Sequence, residues 1–92
     1  MTQTIHKYKL APDVGQTIMV PLGANVIHAG VDPAGDPCIW AEVDQNSKPV
    51  EERTFWMFGT GHAMPPHHRR LRHIGSFLHK EEFIWHVYEE QK

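Results

Sequence analysis

Chain breakers recur along this sequence at intervals too short for ordinary helices. Pro12-Asp13-Val14-Gly15, Pro21-Leu22-Gly23, Asp32 to Pro37, Gln45 to Pro49, Gly59-Thr60-Gly61 and Pro65-Pro66 all carry residues that turns demand. Several of the runs between them alternate apolar and polar residues, which is the period of a strand with one face buried. Short β-leaning runs at such spacing predict an all-β domain: a small antiparallel sandwich or partly open barrel of about seven strands.

The runs can be assigned to faces. Residues 5–10 place His6, Tyr8 and Leu10 on one side and Lys7 and Lys9 on the other. Residues 16–20 pair Ile18 with Val20. Residues 25–31 are expected to put Ile27, Ala29 and Val31 on one face and Val26, His28 and Gly30 on the other. In residues 38–43, Ile39, Ala41 and Val43 form the expected core set, with Trp40 opposite. Residues 44–51 read as a polar loop. Arg53 to Phe58 carries large apolar groups on both faces, Phe55 and Met57 against Trp56 and Phe58, as in a central or covered strand. Residues 62–72 read as an exposed loop with one helical turn at 67–71. Residues 73–79 and 83–88 close as a hairpin through Lys80-Glu81-Glu82. Phe83, Trp85 and Val87 share a face of its second strand, and residues 89–92 read as a polar tail.

Ninety-two residues make a single domain, residues 1–92, with a modest core. Two strands apolar on both faces exceed what that core needs, so a homo-oligomer built on Trp56 and Phe58, or on Trp85, is expected. One cysteine, Cys38, excludes an internal disulfide framework. With no secretory apolar region at the start and no apolar run near bilayer length, a cytoplasmic protein without membrane contact is expected. The net charge of −2 argues against stable nucleic-acid binding, which calls for a basic footprint.

Chemistry concentrates in Arg53 to Pro65 and the loop behind it. The glycines of Gly59-Thr60-Gly61-His62 let backbone approach a ligand closely. Their amides would form an anion nest, with Thr60 and His62 adding hydrogen bonds. The same glycines serve equally as a strand corner. His67, His68, Arg69, Arg70 and Arg72 form a basic cluster, whose guanidinium forks suit phosphate or carboxylate and whose exposure equally suits a solvated loop. Trp56 or Trp85 would hold a base beside it. No spaced metal motif is present, and no metal or cofactor is expected. Cys38 sits in an apolar strand, the environment of an inert thiol, and the paired glutamates 51–52, 81–82 and 89–90 read as surface decoration. No catalytic residue is assigned.

Six segments together carry a resemblance: Lys7 to Leu10, Gln16 to Ala24, Cys38 to Asp44, Arg53 to His62 with its G-T-G-H corner, Ile74 to Phe77, and Phe83 to Glu89. The chain resembles a family of small uncharacterised proteins found mostly in phages and prophages. It departs from the family pattern in the histidine- and arginine-rich insert at 67–72. The resemblance implies an accessory protein that acts by binding. The leading expectation is a sponge in the host cytoplasm that sequesters a nucleotide-derived or other anionic small molecule. That molecule would meet Gly59, Thr60, Gly61, His62, Arg69, Arg70, Arg72, Trp56 and Trp85. The alternative is an inhibitor that binds a host protein; a metal-dependent enzyme ranks third.

Overall fold

A computed structural model describes residues 2–11 and 15–91 of the chain. Pro12, Asp13 and Val14, part of the first expected turn, lie outside the described residues. Seven strands follow in order: β1 (Gln3–Lys9), β2 (Gln16–Pro21), β3 (Asn25–Val31), β4 (Pro37–Asp44), β5 (Val50–Gly59), β6 (Leu71–His79) and β7 (Phe83–Glu90). A 3-10 turn, His68–Arg70, precedes β6. The strands form two antiparallel sheets, β1-β4-β3 and β2-β5-β7-β6, packed as a sandwich. Among the described residues no helix is long and apolar enough to cross a membrane.

The core lies between the sheets. Ile39, Ala41 and Val43 of β4 meet Phe55 and Met57 of β5 and Val87 of β7, all at most 1% exposed. Tyr8, Ile18, Val26, Phe77 and Trp85 pack around them. Ile39, Ala41 and Val43 are the set that alternation assigns to the core; β5 and β7, apolar on both faces, turn Phe55 with Met57 and Trp85 with Val87 inward, and the face expected for β3 needs correction. The expected shared face of Ile27, Ala29 and Val31 in β3 is broken, because the register with β4 slips between Val26 and His28. Ile27 is the extra residue of a β-bulge, and a bulge inverts the parity of everything before it. Val26 therefore faces the core with Ala29, while Ile27 is 46% exposed and Val31 lies at the rim. A second slip between His73 and Gly75 does the same to β6.

Three boundaries also differ from expectation, the first being that β6 begins at Leu71, inside the stretch 62–72 read as a loop. β5 begins at Val50, inside the stretch read as a loop, because Val50 to Phe55 pairs with Gln16 to Pro21 of β2. β7 continues through Glu90, inside the stretch read as a tail, because Leu71 and Arg72 of β6 pair with Glu90 and Glu89. Glu89 thereby falls two positions beyond Val87 on the inner face and is buried. Arg53 and Glu89 form an ion pair there, with Arg53 Nη2 donating to Glu89 Oε1 at 2.9 Å and Nη1 to the Ala24 carbonyl at 2.7 Å. The hydrogen bonds that Arg53 donates to Glu89 raise the Arg53 pKa above its ordinary value.

The β3–β4 hairpin is held by Asp32, which is also buried. Its Oδ1 accepts the amides of Ala34 and Asp36 at 3.0 and 2.8 Å, and its Oδ2 accepts Lys7 Nζ at 2.9 Å. These bonds, first that from Lys7 and then that from the Asp36 amide, pull the carboxyl pKa down to about 2. Cys38 is fully buried alongside, and burial pushes its thiol pKa up, as expected of an inert core group.

Candidate functional site

The G-T-G-H corner is where β5 stops. Gly61 has φ +89°, a conformation that side-chain-bearing residues rarely adopt. Gly59 sits under the His62 ring so closely that an added Cβ would lie 2.8 Å from it. The corner's amides are largely engaged. Thr60 N–H donates to the Ile84 carbonyl at 3.3 Å, His62 N–H to the Gly59 carbonyl at 3.0 Å, and Gly59 N–H to His62 Nδ1 at 3.2 Å. An anion nest needs such amides free. Both glycines thus have a structural cause.

A recess of about 490 Å³ opens beside the corner. Thr60 and His62 line one side and Phe83, Ile84 and Trp85 the other, with Glu82 also in its wall. His62 meets Trp85 edge to face at 6.0 Å, and Phe83 lies 6.3 Å from the same indole. Its walls are mainly apolar and aromatic, with a hydroxyl, an imidazole and one carboxylate. That is the composition of a site for a flat, largely uncharged ring rather than for a phosphate.

The basic residues lie elsewhere. Gly59 is paired with Trp85, whereas Arg72 is paired with Glu89, four residues along β7 and thus about 13 Å away. Arg70 and Arg72 line a separate open cleft of about 630 Å³, where Arg53 joins them. Four glutamates, 51, 52, 89 and 90, line it too, so the cleft has no positive surplus to attract an anion. Arg69 is exposed on the 3-10 turn. Trp56 is on the outer face of its sheet, opposite Trp85. Its ring stacks on Phe58 at 6.0 Å and meets His67 at 5.3 Å, and its Nε1 donates to Glu90 at 3.2 Å. Gly15 also lies against it: an added Cβ there would be 3.3 Å from the indole. Within one chain the nine expected ligand residues therefore do not converge. Gly59, Thr60, His62 and Trp85 share the recess; Arg70 and Arg72 share the cleft; Gly61, Trp56 and Arg69 line neither.

The face that carries Trp56 holds an arrangement that residue-by-residue reading missed. Thr60 Oγ1 lies 2.8 Å from His86 Nε2, Ser76 Oγ lies 2.7 Å from His86 Nδ1, and His73 Nε2 lies 2.9 Å from the same Ser76 Oγ. His73 in turn packs edge-on against Tyr88 at 5.1 Å. The outward parity of His86 is visible in the sequence, since it alternates with Trp85 and Val87. Its pairing with Ser76 follows from the register that the Lys80–Glu82 turn sets; what the bulge at Ile74 hides is the placing of His73, which comes into line with Tyr88 beside Ser76.

Fold and site together define a small two-sheet β-sandwich with an aromatic recess at one end and a hydroxyl–imidazole row on one outer face. A family model described as "Domain of unknown function (DUF7352)" matches residues 1–92, and the chain belongs to that family. No curated protein and no solved structure matches it.

Proposed function

We propose that the protein is a binder of a nucleotide-derived small molecule, which it holds unchanged by its base in the recess beside the G-T-G-H corner. The observation that carries this is the recess itself. Its volume of about 490 Å³ falls in the range of small-molecule sites, and three of its wall residues, Trp85, Phe83 and His62, offer ring faces or edges. Thr60 and His62 supply the polar contacts that would distinguish one base from another. Glu82 and the engaged amides favour a ligand that enters base first with its phosphates toward solvent. In a phage accessory protein, such binding would withdraw a nucleotide signal from host defence.

Thermal-shift measurement against nucleosides, cyclic nucleotides and ADP-ribose tests this. At least one should raise the melting temperature, be recovered intact after denaturation, and lose its effect in Trp85→Ala. No shift from any of them, or recovery of a chemically altered ligand, defeats the proposal. The second reading, an inhibitor that docks on a host protein, has its own support. Leu78, Phe83 and Ile84 at the β6–β7 hairpin end are 54%, 51% and 42% exposed. The turn they flank also holds Lys80 and Glu81 at φ 56° and 59°, strained values for residues with side chains.

A further inference from the structure

From the outer face of the larger sheet we infer a second capacity, which shares Thr60 and Ile84 with the recess: Ser76 is a nucleophile activated by His86 toward esters with a small apolar acyl group. The three parts of an activated serine are present at hydrogen-bonding distance. The nucleophile–base contact is Ser76 Oγ to His86 Nδ1, 2.7 Å. The base is oriented by a third group, Thr60 Oγ1, 2.8 Å from His86 Nε2. This is the general signature of nucleophile, base and orienter, in whatever sequence order it occurs.

The hydrogen-bond directions are mutually consistent. If His86 carries its proton on Nε2 and donates to Thr60, Nδ1 is left to accept from Ser76. Ser76 then has its oxygen free to accept from His73 Nε2–H at 2.9 Å. His73 thus holds the hydroxyl with its proton aimed at His86. Ser76 is exposed, so a substrate reaches it from solvent. Two strand positions away on the same face, Leu78 pairs across the hairpin with Ile84. Both are exposed, and they offer an apolar platform for an acyl chain beside the serine.

The chemistry closes without any further reactant except water. Ser76 Oγ attacks the ester carbonyl carbon as its proton passes to His86 Nδ1. The tetrahedral intermediate collapses, the bond to the leaving oxygen breaks, and that oxygen departs as an alcohol with the proton from His86. Water then attacks the acyl-serine, giving a proton to His86, which returns it to Ser76 Oγ as the acid leaves. His73 Nε2–H, released from the serine oxygen, becomes available to donate to the oxyanion. The orienter is an uncharged hydroxyl, so it supports the imidazolium less than a carboxylate would, and slow turnover with a persistent acyl-enzyme is expected.

Intact-protein mass spectrometry after incubation with 4-nitrophenyl butyrate reads the acylation directly, and peptide mapping locates it. A single butyryl group on Ser76 is expected. It should be absent in Ser76→Ala and form about a hundredfold more slowly in His86→Gln. Thr60 is a positioning residue, and Thr60→Val should move the pH profile of acylation while leaving the circular dichroism spectrum unchanged. Circular dichroism likewise confirms that each variant is folded. No adduct, an adduct confined to histidine or lysine, or an unchanged rate in His86→Gln overturns the inference.

Discussion

Asp32 shows how one side chain can fix a hairpin. It accepts two loop amides and a lysine, and nearly all of it is out of water. Its pKa in the folded chain is about 2, below the ordinary carboxyl value of 3.8. A depressed carboxyl pKa means that the unfolded chain takes up its proton first as pH falls. The stabilisation is therefore complete above about pH 4 and is lost as pH falls towards 2. Lys7 has the opposite sign: its raised pKa keeps its contribution intact below 10.5 and loses it only at more alkaline pH. Between neutral pH and pH 2.5 the urea midpoint of the wild type should drop. Asp32→Asn should start lower at neutral pH and drop less. Equal drops in the two proteins would show that Asp32 is not a source of acid sensitivity. The cause of the aspartate's burial was hidden in the sequence, where Asp32-Pro33 signals only a turn.

At the scale of the element, β5 and β7 are central strands that carry charge into the sandwich. Arg53 and Glu89 have side chains 14% and 6% exposed, and each is the other's main partner. Removing one partner of a largely buried pair leaves an uncompensated charge, whereas replacing both by apolar groups can be nearly neutral. Glu89→Leu should cost roughly 3 kcal/mol of unfolding free energy, and Arg53→Met/Glu89→Leu should recover most of it, read by urea denaturation. A double variant no better than the single one would mean that the Arg53 bond to the Ala24 carbonyl, not the pair, holds this end of the sandwich. The pattern of β7 did contain the clue. Phe83, Trp85 and Val87 face inward, and two further steps of the same alternation reach Glu89. In the sequence Glu89 opens the polar run Glu89 to Lys92, whose charge argues against that parity.

The same scale explains why the expected site came apart. Gly59 and Arg72 are near in sequence, but β6 runs antiparallel to β7 and β7 antiparallel to β5. The connection between β5 and β6 therefore carries the chain from one end of the sheet to the other. The tryptophans separate for a different reason: Trp56 and Trp85 differ in parity relative to their own core residues, Met57 and Val87, so they stand on opposite faces.

For the whole molecule, connectivity is largely non-local. β1 pairs with β4, β2 with β5, and β3 packs against β6 of the opposite sheet, where Gly75 lies close to Ala29. Each such contact requires closing a long loop before any contact rewards it. Stopped-flow tryptophan fluorescence should therefore show folding in milliseconds to seconds. A microsecond phase that accounts for the full amplitude would contradict this topology. The second apolar face of β5, which suggested a subunit interface, is largely covered within the chain. Phe58 is 3% exposed, flanked by the rings of Trp56 and Tyr88, and Trp56 is itself half-covered by Gly15 and His67.

By itself the sequence determined the class of fold, the strand count and most of the inner face. Breaker spacing and period-two alternation act locally, and each run records its own burial. The set Ile39, Ala41 and Val43 follows from parity alone; for Phe55, Met57 and Val87 parity fixes which residues share a face, and packing chose that face. Tertiary structure decided whatever depends on register between strands distant in the chain. Two bulges, at Ile27 and Ile74, shift parity by one residue, and neither is marked by a proline or by a glycine at the bulged position. Pairing alone buried Glu89 against Arg53, parted the glycine corner from the arginines, and set Ser76 between His73 and His86. A corner such as Gly59 to His62 can be found from its residues. What stands beside it is fixed by hydrogen bonds to strands elsewhere in the chain.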